Sequence, residues 1–268
     1  MDSEEPPTGA RLLRGALISN QTQTKLAFGA APARRPPIPP GAAALPLGVV
    51  LLPGFLNLED CTQLLAELSA IHAHRPLRIV KLRAPPTSVQ KYGFTHCYMT
   101  FTGMEWKYGA TEKDTGYFLS PDVPPVPDFI LKLGRRAFEA AVAAAPAGAF
   151  PDAPPWHLGS AGFTCLVNYY PLKWGKISEH ADDDEPSLKS GKYFPVISFS
   201  LGDAVDFLLH PREAPVVTVR LCGGDALLFG GNKAARLMRH SIEKAPAGER
   251  HMPLKCIPGR LNVTLRAI

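Results

Sequence analysis

The chain has 268 residues and 46% hydrophobic content, enough for one domain with a full core and room for a tail. Its five cysteines (Cys61, Cys97, Cys165, Cys222 and Cys256) are odd in number, far apart and form no CxxC pair. That argues against a disulfide framework or a zinc ribbon, and for core thiols in a reducing compartment. A net charge of +5 admits an anionic partner such as nucleic acid without requiring one.

In chain order, the opening "MDSEEPP" is acidic with no apolar run behind it, unlike a secretory signal or transit peptide. The most apolar window, "AAALPLGVVLLPGFL", is interrupted by proline and glycine and is too short to span a bilayer. A soluble intracellular protein is expected, nuclear or cytoplasmic, without membrane attachment. A monomer is expected because no oligomerisation feature stands out. Residues 1–45 are rich in Ala, Pro and Arg and read as a flexible tail. Arg34 and Arg35 in it are either phosphate contacts or parts of a plain linker. Residues 46–268 then form the folded domain.

Order is expected from near Leu47, with "GVVLLPGF" as a short buried strand. In "NLEDCTQLLAELSAI", Asn57 can cap a helix with Asp60 three residues on. Cys61, Leu64, Leu65 and Leu68 repeat at i, i+3, i+4, i+7, an amphipathic helix. A second helix is predicted from about Pro127 to Ala145. From residue 160 the pattern turns to short strands: "GFTCLVNYY", "YFPVISFSL", "AVDFLLH", "PVVTVRL", "DALLFGG" and "RLNVTLRAI". Many short strands separated by turn clusters predict a sandwich or barrel. The fold class is therefore mainly β with flanking helices (α+β).

Residues 180–186 read "HADDDEP". One reading is a solvated acidic loop, and the other is half a metal site. In an extended segment, residues two apart share a side, so His180 and Asp182 can serve one ion. His240, on "MRHSIEKA", supplies a second imidazole. Two histidines and one carboxylate are the donor set of non-haem Fe(II) oxygenases, which leave positions open for substrate and O2. The last strand, "RLNVTLR", places Arg260, Asn262, Thr264 and Arg266 at period two, with Leu261, Val263 and Leu265 opposite. Either this polar face is solvated with the leucines inward, or it is buried against a dicarboxylate that each arginine grips by paired hydrogen bonds. In "NYY", Asn168 and Tyr170 share a face suited to a small polar ligand, or Tyr170 is an ordinary ring at a sandwich rim.

In this order, "NYYPLKWGKISEHADDDEP", "SFSLGDAVDFLL", "GGDALLFGGNKAARLMRHSI" and "GRLNVTLR" resemble the AlkB family of Fe(II)/2-oxoglutarate-dependent dioxygenases. The likeness covers about residues 45 to 268 and is strongest from 165 onward. The gap from Asn168 to His180 is one residue longer than in the bacterial archetype, within the loop "PLKWGK". The resemblance implies a double-stranded β-helix (jelly-roll) core over about 160–268, and an N-terminal nucleotide-recognition lid over about 85–125. It implies Fe(II) ligation by His180, Asp182 and His240. It implies a 2-oxoglutarate site of Asn168, Tyr170, Arg260, Asn262 and Arg266, with Arg260 on the distal carboxylate and Arg266 on the one beside the iron. O2 is the further co-substrate.

By the same resemblance Asp184 lies against the target base, with Glu185 and Pro186 completing the motif. Tyr117, in "GYFLSP", contacts the substrate phosphate. Tyr98, Trp106 and Tyr108 are candidates either to stack on a flipped base or to join the core. Adenine methylated at N1 and cytosine methylated at N3 are cationic, and a carboxylate beside the base favours them over neutral bases. The implied activity is oxidative demethylation, a direct-reversal repair of 1-methyladenine and 3-methylcytosine in DNA or RNA that releases formaldehyde and succinate. Oxygenation of an RNA modification, a protein or a small molecule uses the same donor set. A binding module that kept the fold but lost catalysis is the non-enzyme alternative, against which the full set of ligands and arginines stands.

Overall fold

The computed structural model describes residues 42–45, 48–74, 78–80, 97–102, 104–107, 116–119, 123–172, 175–182, 188, 191–236, 238–244 and 259–268. Two long helices form where the sequence predicts them. Helix α1, Leu58–His74, opens on a reciprocal cap: Asn57 Oδ1 accepts from the Asp60 amide at 2.8 Å, and Asp60 Oδ2 accepts from the Asn57 amide at 3.2 Å. Helix α2, Asp128–Ala144, follows Pro127, whose φ of −57° already suits a helix start. It buries Ile130, Leu133, Ala137, Phe138 and Ala141 along one stripe. Arg136 of α2 donates to both Asp60 oxygens, at 3.1 and 2.5 Å, so the residue that caps α1 also ties the two helices together.

The strands are β1 (Ala43–Leu45), β2 (Val49–Leu52), β3 (Arg78–Val80), β4 (Cys97–Thr102), β5 (Met104–Lys107), β6 (Gly116–Leu119) and β7 (Phe163–Tyr170). They continue with β8 (Ile177–His180), β9 (Val196–Gly202), β10 (Val205–His210), β11 (Val217–Leu221), β12 (Ala226–Phe229), β13 (Arg239–Ile242) and β14 (Arg260–Ala267). A 3₁₀ segment, Trp156–Gly162, leads into β7, and a single turn, α3 (Lys233–Arg236), precedes β13. A large sheet runs β1-β2-β12-β9-β14-β7-β4-β3, a small one runs β11-β10-β13-β8, and β5-β6 form a separate hairpin. The pairing is antiparallel, as in a double-stranded β-helix. β1 adds an edge strand a few residues before Leu47, where order was expected to begin.

Two apolar cores explain the layers. In one, Leu64, Leu65, Leu68, Ile130, Leu133 and Phe138 of the helices meet Val167, Ile197, Phe199, Leu261, Val263 and Leu265 of the large sheet. In the other, Tyr170, Val196, Leu227 and Phe229 of the large sheet meet Val205, Phe207, Leu209, Val219 and Ile242 of the small one. The central strands are covered on both sides, and every residue of β7 and β9 is buried. That resolves the two readings of β14. Its leucines lie under the helices, yet its polar face is not solvated, because Arg260, Asn262 and Thr264 are buried on the inter-sheet side. The expected core thiols are found at Cys61 and Cys165, where burial pushes each pKa up to about 12. No helix among the described residues is long and apolar enough to cross a membrane.

Gly134 sets how closely α2 lies on β14. A Cβ there would stand 2.3 Å from Leu265 Cδ2. Gly134→Val is expected to cost about 1–3 kcal/mol of stability by overpacking this contact, read as a lower urea midpoint with an unchanged slope.

Candidate active site

β8 ends at His180, at the edge of the small sheet, and β13 pairs His240 directly opposite it. Their ring centroids are 4.3 Å apart. Asp182 follows two residues after His180 and is only 6% exposed. Its Oδ1 lies 3.9 Å from His180 Nε2 and its Oδ2 lies 3.8 Å from His240 Nε2. One donor atom from each residue falls within 4.8 Å of the other two. His180 Nδ1 sits 2.7 Å from the Ser178 carbonyl, so the proton belongs on Nδ1 and the Nε2 lone pair faces the cluster.

The surroundings hold these donors in the form that binds metal. His240 is packed by Phe207 at 5.2 Å and Phe229 at 5.0 Å between ring centroids. Burial, with His180 beside it, lowers its pKa to about 3, so the imidazole is neutral near pH 7. Burial pushes the Asp182 pKa up, but Arg266, and after it His240 and His180, hold the carboxyl well below the usual range. Arg266 Nη2 reaches Asp182 Oδ1 at 2.8 Å. Two imidazoles and one carboxylate gathered on one side fit a non-haem Fe(II) ion with positions left over.

Opposite this cluster lies the polar face of the large sheet. The register of β14 sets Arg260 against Tyr170, and Asn262 against both Asn168 and Ser200. Arg260, 1% exposed, donates to Ser200 Oγ at 3.0 Å and lies 5.3 Å over the Tyr170 ring. Asn262 Nδ2 donates to Ser198 Oγ at 2.6 Å, while its Oδ1 accepts from Thr264 Oγ1 at 2.8 Å and from Asn168 Nδ2 at 3.5 Å. The fold thus brings together the eight residues expected to hold iron and 2-oxoglutarate. Sequence reasoning missed Ser198 and Ser200, although the alternation in "SFS" marked them. It also missed Phe207 and Phe229, which carried no such mark.

A tight knot places Arg260. Gly202 and Gly259 have φ of +86° and +101°. A Cβ at Gly202 would lie 2.3 Å from the Gly259 oxygen, and one at Gly259 would lie 2.4 Å from the Tyr170 oxygen. Buried Asp203 accepts from the Gly259 amide at 2.7 Å, and its own amide returns a bond to the Gly259 carbonyl at 2.8 Å. β14 therefore enters the sheet in one register.

Of the expected substrate contacts, Tyr98 lies in β4 at the position opposite Tyr169. Trp106 and Tyr117 occupy directly opposed positions of the β5–β6 hairpin. Tyr108, Asp184 and Glu185 lie outside the described residues.

Residues 48–266 match the 2OG-Fe(II) oxygenase superfamily. The chain belongs to that superfamily. The group the site is built for is therefore Fe(II), with 2-oxoglutarate and O2 as co-substrates. The AlkB resemblance is matched by relatives. The chain is 28% identical over 231 residues to the DNA N(6)-methyladenine demethylase ALKBH1C of Arabidopsis thaliana, covering 82% of this chain and 49% of that protein. It is 33% identical over 108 residues to ALKBH1D of the same plant, also described as a DNA N(6)-methyladenine demethylase, covering 38% and 24%. It spans about half or less of the length of these curated relatives. The structure of OsALKBH1 superposes with a TM-score of 0.61 at 27% identity, covering 85% of this chain and all of that one.

The depressed pKa of His240 has a measurable consequence. Unfolded, an ordinary histidine takes a proton as pH falls through 6.5; folded, His240 does so only near 3. The unfolded state binds more protons in that window, so stability falls with pH. The contribution of Asp182, whose folded pKa is depressed, is fully present above the ordinary carboxylate pKa and is lost as pH falls through and below it. Between pH 6.5 and 5, metal-free protein is expected to lose up to about 1.4 kcal/mol per pH unit through His240. Urea unfolding of wild type and His240→Gln checks this: the variant should show the shallower slope with pH.

Proposed function

We propose that this chain oxidatively removes N-methyl groups from nucleic-acid bases. The observation that carries the reading is the convergence of His180, Asp182 and His240 on the inter-sheet space lined by Asn168, Arg260 and Asn262, in a chain related to AlkB homologues. His180, Asp182 and His240 would hold Fe(II). Arg260 and Arg266 would take the two carboxylates of 2-oxoglutarate, with Asn168, Tyr170 and Asn262 beside them. Bound iron, 2-oxoglutarate and O2 supply the oxidation that converts the N-methyl group to N-hydroxymethyl, with 2-oxoglutarate leaving as succinate and CO2. The hydroxymethyl product then releases formaldehyde and the bare base. The protein's own work is positioning: Ser198, Ser200 and Thr264 orient Asn262 and Arg260, and the apolar core between the sheets keeps water from the site.

The names of the relatives support N6-methyladenine in DNA as substrate, whereas the Asp184 motif supports the cationic lesions 1-methyladenine and 3-methylcytosine. RNA carrying the same bases is the second polymer. Nuclear or cytoplasmic nucleic acid is the expected pool. Aromatic positions Tyr98, Trp106 and Tyr108 serve a flipped or single-stranded base, and Tyr117 its phosphate.

The test is incubation of the protein with Fe(II), 2-oxoglutarate and air, on DNA and RNA oligonucleotides bearing each base, read by mass spectrometry. Loss of one CH2 per modified base is expected, dependent on both additives and abolished by Asp182→Ala. Succinate without any change in the oligonucleotides would leave an oxygenase of another substrate class; no succinate would sink the enzymatic reading. A second prediction separates the bases by charge. Asp184→Asn should lower kcat/KM on 1-methyladenine by about tenfold, roughly 1.4 kcal/mol of lost charge attraction, and leave neutral N6-methyladenine nearly unchanged.

A further inference from the structure

The residues flanking the two histidines point, by strand alternation, to the opposite side of the small sheet. There they form a connected polar chain. Arg239 Nε donates to Glu179 Oε1, and Arg239 Nη2 donates to the Glu179 main-chain carbonyl at 2.9 Å. Glu179 Oε2 lies 3.9 Å from His210 Nδ1, and His210 Nε2 is 2.9 Å from Ser241 Oγ. Three strands contribute, and three of the four residues are immediate neighbours of a metal ligand: Glu179 of His180, Arg239 and Ser241 of His240. The order Ser–His–Glu resembles a hydrolytic relay, but Ser241 is 0% exposed and no substrate can reach it.

The backbone explains why such a chain is present. β8 is an edge strand of four residues. Its ladder to β13 consists of His180 opposite His240 and Ile177 opposite Ile242, with a register shift between them. A bulge on a short edge strand leaves the main-chain ladder little control over the spacing of the two imidazoles. Arg239 grips both the side chain and the main chain of Glu179, one residue before His180. We infer that the Arg239–Glu179 fork, backed by His210 and Ser241, is a positioning clamp that holds His180 at metal-binding distance from His240. None of the four belongs to the candidate ligand set of His180, Asp182 and His240. The inference rests on the metal-centre reading and not on any particular substrate.

The experiment is Co(II) titration of the EDTA-stripped full chain, followed by the visible absorption of the bound ion, with the melting temperature of each metal-free variant measured alongside. Arg239→Ala and Arg239→Lys are expected to weaken Co(II) binding about tenfold or more, as loss of an outer support of a metal ligand does. Lysine keeps the charge but cannot form the fork. Glu179→Gln retains an acceptor oxygen and the main-chain carbonyl, and should stay within about twofold of wild type. The Arg239 and Glu179 side chains are 44% and 41% exposed, so the metal-free melting temperature should hardly move. Wild-type affinity in Arg239→Lys would overturn the clamp. If Arg239→Ala melts early for structural reasons, the contrast between Arg239→Lys and Glu179→Gln decides. A wild-type chain that takes up no Co(II) overturns the metal-centre reading, and the clamp with it.

Discussion

The rest of the structure depends on one strand that is buried on both faces and charged on one of them. β14 presents leucines to the helices and arginines to the space between the sheets. Burying a guanidinium is costly unless hydrogen bonds and an opposite charge compensate it. Arg266 meets Asp182, while Arg260 has the Ser200 hydroxyl and the Tyr170 face. A dicarboxylate completes this arrangement as no neutral ligand would, which is why the polar face and the metal cluster are best understood together.

The same burial prepares the metal ligands. Phe207 and Phe229 desolvate His240 and keep it neutral, and Arg266 keeps Asp182 ionised. Both effects lower the competition between protons and the metal ion. The helix layer acts at one remove. Because α2 sits hard against Leu265 at Gly134, and Asp203 pins Gly259, β14 cannot slide, and the arginines stay in register with β7 and β9.

Much of this was legible in the chain. The period-two pattern of Arg260 to Arg266 and the HxD pair, with His240 beyond, bring a metal and dicarboxylate site into view, and the family resemblance of their order and spacing gives them roles. The cap at Asn57 and Asp60 with its apolar repeat marks the first long helix, and Pro127 at a first turn marks the second. These features are local, and local patterns survive translation into structure. β8 and β13 are not legible as strands in the sequence. They are four residues each, and their histidines and charged neighbours break the usual strand signature.

The sequence by itself determined the two long helices, most strands of the two sheets and the side-sharing of the candidate donors and arginines, because spacing along one strand or helix decides which residues share a side. Only the tertiary structure decided whether the polar face of β14 was wet or buried, since the pattern of alternation is the same in both cases. The helices on one side and the small sheet on the other made it buried. Contacts such as Phe207 with His240, Ser198 with Asn262 and Arg239 with Glu179 join residues more than thirty positions apart, and no local pattern encodes such a pairing.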